Sequence, residues 1–178
     1  MAAVLGLDID QVLAVAEASA GDGVCEIAND NAPGQVVVSG SKDAVDRAAV
    51  AAKEAGAKRA LLLPVSAPFH CSMMQPAAER MAEALASTTI SIPSLPVVTN
   101  VSTEPQTDPE AIRSHLTAQV TGRVRWSESV QAMASNGVTE LVEVGAGKVL
   151  SGLAKRIVRE LSGTALNSST DIEAFLAR

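Results

Sequence analysis

The run Pro64-Val65-Ser66-Ala67-Pro68-Phe69-His70-Cys71-Ser72-Met73-Met74 holds one of only two histidines in the chain. Imidazole is the one side chain whose ordinary titration lies near neutrality, at about 6.5, so it can take a proton and return it in a single cycle. Its place matters as much as its type. Arg59 to Leu63 upstream reads as a buried strand, and Met73 to Ala86 downstream has apolar residues at helical spacing. Between a strand end and a helix, α/β proteins gather their chemistry. A lone histidine more often packs or caps than catalyses, so its surroundings must decide.

Three nearby signals are set aside. Cys71 adjoins His70, but neighbours in sequence do not present their side chains to one another, and no third group to orient such a pair is evident. Gly145-Ala146-Gly147-Lys148 resembles a phosphate loop, yet Val149 stands where a Ser or Thr must hold magnesium. His115 lies in a polar helical stretch and reads as exposed.

The elements that position His70 start at the N-terminus. Ala2 to Leu7 reads as a strand. Asp8 to Ala20 reads as a helix, with Asp8 or Asp10 as its cap. Val24 to Asn29 and Gln35 to Gly40 read as a hairpin turning at Asn31-Ala32-Pro33-Gly34. A helix from Ser41 to about Ala55 is ended by Gly56, and the strand at 59–63 follows. The order βαββαβ is that of a ferredoxin-like module over residues 1–63.

Residues 64–178 have a different rhythm. Helices are expected at about 73–87, 109–119 (capped by Asp108, with Pro109 first), 126–136 and 148–161. The strands Val97 to Asn100 and Glu140 to Val144 alternate with them, which predicts a parallel sheet. Two short strands do not make an independent core.

Composition narrows the function classes. Hydrophobic residues make up 47% of 178, but only Phe69, Trp126 and Phe175 are aromatic, so Ala, Val and Leu must fill the core. The net charge of −6 and the lack of a basic block argue against nucleic-acid binding. No stretch approaches the roughly 18 apolar residues of a membrane span. Cys25 and Cys71 follow no metal spacing and read as free thiols of a cytoplasmic protein.

Several blocks taken together resemble the malonyl-CoA:acyl-carrier-protein transacylase family of bacterial fatty-acid synthesis, over nearly the whole chain. They are Met1 to Leu7, Asn29-Asp30-Asn31-Ala32-Pro33-Gly34-Gln35-Val36-Val37-Val38-Ser39-Gly40, Ala55-Gly56-Ala57-Lys58-Arg59-Ala60, the His70 segment, and Glu143-Val144-Gly145-Ala146-Gly147-Lys148-Val149-Leu150. Acyltransferase domains of polyketide synthases share them, though 55–64 looks more like the freestanding enzymes. The resemblance implies an α/β fold with an α+β insert: a ferredoxin-like subdomain, then the C-terminal part of an α/β-hydrolase-like acyltransferase core over 64–178.

The resemblance also implies roles. A serine takes malonyl from coenzyme A and passes it to the phosphopantetheine thiol of acyl carrier protein. No cofactor or metal takes part. His70 matches the base, and Gln119 the residue whose backbone carbonyl orients it. Phe69 matches a position where malonyl-selective members carry phenylalanine, a ring that crowds an α-methyl group. Asn29 and Asn31 fall on a loop along the substrate cleft; Lys58 and Arg59, read from their charge alone, either meet coenzyme A phosphates or the acidic carrier protein or form an ordinary solvated pair.

The family's Gly-Gln-Gly-Ser-Gln segment, its Gly-His-Ser-x-Gly elbow and the carboxylate-binding arginine beyond it are not in this sequence. On this reading the chain carries half a site and is inactive by itself. Its partners are malonyl-CoA, acyl carrier protein, and either a serine-bearing N-terminal half, as in a split enzyme, or a second copy of itself. The other expectations are a non-catalytic binding module and a polyketide-synthase acyltransferase fragment.

Overall fold

A computed structural model describes all residues from Met1 to Arg178. The chain forms two compact units, Met1–Ser129 and Val130–Arg178. The first unit is built on a four-stranded sheet of β1 (Ala2–Leu5), β2 (Cys25–Ala32), β3 (Gln35–Gly40) and β4 (Arg59–Leu62), in the order β2-β3-β1-β4. All of its pairings are antiparallel. The helices α1 (Ile9–Ala20) and α2 (Lys42–Glu54) cover one face.

Local chemistry explains these elements. Asp8 caps α1 in a reciprocal box, its carboxylate accepting from the Gln11 amide at 2.8 Å while the Gln11 side chain accepts from the Asp8 amide at 3.0 Å. The β2–β3 turn is Pro33-Gly34, where Gly34 supplies a φ of +70°. Gly40 is required for another reason: a Cβ there would lie 1.8 Å from the Val24 carbonyl oxygen. Alternation along the strands sends Ala2, Val4, Val36, Val38 and Ala60 into a dry core with Val12, Ala16, Val45, Ala48 and Ala52 of the helices.

The remainder of the first unit is joined to this sheet by hydrogen bonds at β2, between Ser72 and Glu26 and between Val124 and both Ala28 and Asp30. It comprises a 3₁₀ turn (Ser72–Met74), α3 (Gln75–Ala86), the short antiparallel pair β5 (Val97–Val98) and β6 (Pro105–Gln106), α4 (Pro109–Ala118) and the start of α5 (Trp126–Ser135). The second unit holds β7 (Glu140–Val144), α6 (Val149–Ile157), β8 (Ser162–Leu166) and α7 (Ser169–Leu176), with β7 and β8 paired in parallel.

Three expectations are corrected. The strand at 59–63 is not buried: β4 is an edge strand bonded only to β1, so Leu61 and Leu62 stay 50% and 58% exposed. The strand at Val97 does not join β7 in a parallel sheet; it pairs with β6, because the turn chemistry of 99–104 folds the chain back on itself. The parallel partner of β7 is β8, whose Ser162-Gly163-Thr164-Ala165-Leu166 has no strong strand pattern, and the helix before it ends at Ile157 rather than 161. Hydrogen bonds fasten 64–129 to the sheet. The helix α7 went unforeseen.

Candidate active site

His70 is the only non-glycine residue with a left-handed backbone, at φ +59°. Such a conformation costs an L-residue about 1–2 kcal/mol, so the surroundings must hold it. Three contacts do. On the C-terminal side, Cys71 is fully buried and its thiol donates to the Pro68 carbonyl at 3.1 Å, closing a tight loop around Phe69 and His70. Next, Ser72 is anchored to β2: its amide donates to the Glu26 carboxylate at 3.0 Å and its hydroxyl donates to the other carboxylate oxygen. Last, His70 Nδ1 donates to the Gln119 backbone carbonyl at 2.9 Å.

That last contact fixes the tautomer. A carbonyl oxygen only accepts, so Nδ1 must carry the hydrogen, and the neutral ring keeps its lone pair on Nε2. The Gln119 carbonyl is free to accept because α4 has just ended. Gln119 is the C-terminal cap residue, and the last carbonyls of a helix lack intrahelical partners. The other end of α4 is set by Pro109 and by Asp108, which accepts from the Glu110 amide at 3.1 Å.

A second layer holds α4 in register. Thr99 Oγ1 lies 3.1 Å from His115 Nδ1, and Asn100 Nδ2 donates to the Gln119 side-chain oxygen at 3.2 Å. His115 and Gln119 are four residues apart on one helix face. His115 is therefore part-buried and bonded, which corrects its reading as an exposed residue. Beyond Gln119 the chain reaches the free edge of β2. There the Val124 amide donates to the Ala28 carbonyl at 2.8 Å, and the Asp30 amide to the Val124 carbonyl at 2.9 Å. Arg123 and Arg125 converge on Glu128, Arg123 at 2.8 Å. The hydrogen bond from Arg125, with the charges of both arginines, holds the Glu128 carboxyl below the ordinary carboxylate range. Asp30 is shifted the other way, because burial raises its pKa more than Arg123 lowers it.

The other predicted residues are dispersed around this pair. Phe69 is 40% exposed beside the base. Asn29 and Asn31 are not in the hairpin turn: both lie within β2, at its two register irregularities, because the strand continues to Ala32. Asn29 pairs with Val37, which stands with Ala3 and Leu61 in one row on the face away from α1 and α2. Arg59 pairs with Leu5 and shares that face, but on the opposite edge strand. Three strand spacings put about 14 Å between such edges. The exposed Lys58 donates its amide to the Leu5 carbonyl at 2.8 Å. A cavity of about 440 Å³ opens beside Val65, Pro68 and Met73, and His70 does not line it. Glu26, Thr99 and Asn100 went unnoticed in the sequence, where a polar residue in a strand carries no mark of its partner.

The loop at Gly145-Ala146-Gly147 is closed to phosphate for a reason beyond Val149. The Glu143 carboxylate already accepts from the Leu150 and Ser151 amides, at 3.2 and 2.8 Å, and these bonds hold it below the ordinary carboxylate range. An internal anion occupies the start of α6.

The model of the acyl transferase domain matches residues 5–171. The chain belongs to the acyl transferase domain family. This acyl transferase domain is 49% identical over 178 residues to the malonyl CoA-acyl carrier protein transacylase of Salmonella typhimurium, covering 100% of this chain and 58% of that protein. To its namesake in Bacillus subtilis it is 41% identical over 174 residues, 97% of this chain and 55% of the other. It superposes on the acyl-carrier-protein-S-malonyltransferase of Bartonella henselae with a TM-score of 0.94 at 49% identity, covering 99% of this chain and 56% of that one. A malonyl-transacylase solved with its type II polyketide-synthase acyl-carrier protein gives 0.95 at 42% identity, over 99% and 57%. The chain thus has a mixed α/β acyltransferase fold, spans little more than half the length of these relatives, and corresponds to their C-terminal portion.

Proposed function

We propose that this chain supplies the histidine-bearing part of a malonyl-transfer site, moving malonyl from coenzyme A to the phosphopantetheine thiol of an acyl carrier protein. The observation that carries the reading is the 2.9 Å bond from His70 Nδ1 to the Gln119 carbonyl, which leaves Nε2 as the proton acceptor. Identity of 49% to a malonyl CoA-acyl carrier protein transacylase supports the substrates, and the relative solved with its acyl-carrier protein supports the partner.

The chemistry follows from the tautomer. Nε2 takes the proton of a serine hydroxyl as its oxygen attacks the malonyl thioester carbonyl. When the C–S bond breaks, Nε2 returns that proton to the coenzyme A thiolate, leaving a malonyl-serine ester. The carrier-protein thiol then gives its proton to Nε2 and attacks the ester, and the departing serine oxygen takes the proton back. Gln119 keeps the ring oriented throughout, the service an aspartate gives in a Ser-His-Asp site. Phe69 beside the base disfavours an α-methyl group, a discrimination of about 1–3 kcal/mol. Asn29 and Asn31 on β2 border the substrate, and Arg59, with Lys58, meets phosphate or the carrier protein from the far edge. In this reading 1–63 is a ferredoxin-like subdomain, supported by its β2-β3-β1-β4 order with two helices on one face, and 64–178 is part of the acyltransferase core.

No Gly-x-Ser-x-Gly occurs in the sequence, so the 178-residue chain is expected to remain unlabelled by radioactive malonyl-CoA. Supplied with a Gly-His-Ser-x-Gly polypeptide, it should transfer malonyl to carrier protein, and His70→Ala should lower that rate by about 10²-fold or more. Near-normal turnover by His70→Ala would remove His70 from the mechanism. Stoichiometric, hydroxylamine-sensitive labelling of the chain alone would show that it carries its own nucleophile.

A further inference from the structure

We propose that Glu26 is a positioning residue for His70, holding the base-bearing loop to the sheet while Gln119 holds the ring from the helix side. The inference rests on His70 being the base, and adds a residue to that site. Its basis is the route of the chain. Leu63 donates its amide to the Met1 carbonyl at 3.0 Å, so residue 63 ends at the β4 edge beside β1. Nine residues later Ser72 is bonded to Glu26 on β2, the opposite edge strand. Residues 64–71 therefore cross one end of the sheet, and the Glu26 carboxylate is the side chain that fastens the far end of this crossing to the sheet.

The face is right. Cys25 and Ile27 point into the core under α1 and α2, so alternation turns Glu26 to the other face, where its strand partner is Ser39. Both carboxylate oxygens are spent on Ser72, one on the amide and one on the hydroxyl. A bond to a main-chain amide fixes the backbone itself, and this amide is two residues from the left-handed φ of His70. Between them Cys71 is immobilised by burial and by its thiol bond to Pro68, so a shift at Ser72 passes to His70 rather than dissipating. If Ser72 moves, the 2.9 Å Nδ1 bond to Gln119 cannot keep its length from the other side alone. Glu26 thus acts on the tautomer of the base without touching substrate.

The test reads the ring directly. In the 178-residue chain labelled with ¹⁵N-histidine at a pH near 8, only His70 and His115 contribute ring nitrogens, and His70→Gln identifies the His70 pair. The wild-type chain should show protonated Nδ1 and unprotonated Nε2 as two widely separated resonances. In Glu26→Ala the two should move toward each other, by a third or more of their separation, as both tautomers become populated. Glu26→Gln should keep most of the separation, because its amide oxygen still accepts from the Ser72 amide. Ser72→Ala, which loses only the hydroxyl arm, should fall between them. Unchanged His70 resonances in Glu26→Ala overturn the proposal, and if that variant does not fold, unchanged resonances in Ser72→Ala do so. The measurement needs no turnover, so it stands apart from the function: unchanged resonances leave His70 as a base without this support, whereas loss of tautomer control in a chain whose His70→Ala variant still transfers malonyl overturns the function alone.

Discussion

The sheet of the first unit and the sheet of the second solve burial in opposite ways. In the first, four antiparallel strands share one core, and Val4, Val36 and Val38 are at most 1% exposed beneath two helices. In the second, two parallel strands carry the pairing, and β7 leaves Val142 and Val144 at 38% and 76% exposure. Parallel strands are ordinarily covered on both faces, and two of them form no self-sufficient core. A strand's apolar composition therefore does not measure its burial here. The difference separates a region that folds on its own pattern from one whose strongest strand is left largely uncovered.

The largest effects should come from testing that contrast side chain by side chain. Val38→Ala removes two methyl groups from a fully buried site and should cost about 2 kcal/mol in denaturant unfolding. Val144→Ala, on the exposed end of β7, should change stability by less than about 0.5 kcal/mol. Equal costs at the two positions would mean that β7 is as well packed as β3. Amide exchange offers the same comparison without mutation. The amides of β1 and β3 should exchange only through global opening, and those of β7 and β8 through smaller local openings.

How much was legible in the sequence follows the same divide. Residues 1–62 could be read element by element, because Asp8, Pro33-Gly34, Ser41 and Gly56 are local signals and the strands between them obey period two. The second sheet was half hidden. The bounds of Glu140-Leu141-Val142-Glu143-Val144 are legible, but β8, with its Gly163 and only one large apolar residue, carries no strand signal and is assigned no element. The site divides similarly. His70 could be picked out by its position at a strand end, and Gln119 by resemblance, whereas Glu26, Thr99 and Asn100 act through partners 46, 16 and 19 residues away. No local pattern encodes contacts at such separations.

Helix caps give a smaller effect and a sharper contrast. Asp108→Ala removes the N-cap of α4, the helix that presents the Gln119 carbonyl, and should cost about 1 kcal/mol of global stability. Ser168→Ala removes the capping box of α7, which buries none of its residues. There the loss should appear only as faster exchange in α7, with the unfolding midpoint unmoved. If both substitutions shift the midpoint alike, α7 belongs to the cooperative core and the two units differ less than their burial suggests.

The smallest effect is the response to acid, and its sign can be worked out for each unit. Glu128 in the first unit and Glu143 in the second both have folded pKa values below the ordinary carboxylate value, through Arg125 and through the amides of α6. Each therefore adds stability that is present above the unfolded pKa and is lost as pH falls through the folded one. Asp30 acts in the opposite sense. Burial raises its folded pKa, so the native state binds its proton more readily and stability falls as pH rises through that range. In the first unit Glu128 and Asp30 thus partly cancel on acidification, and both sit beside Arg123. In the second, the lowered carboxylates Glu143 and Asp171 both fasten the starts of helices and act in the same sense. Exchange at the Leu150 and Ser151 amides should therefore accelerate on acidification before exchange at Val124 does, after correction for the intrinsic pH dependence of exchange. Glu143→Gln should abolish the acid response at those two amides and leave Val124 unchanged, while Asp30→Asn should raise stability at neutral pH and leave the α6 amides alone. A simultaneous loss at Val124 and Ser151 would show that acid acts on the whole molecule at once rather than on the two units separately.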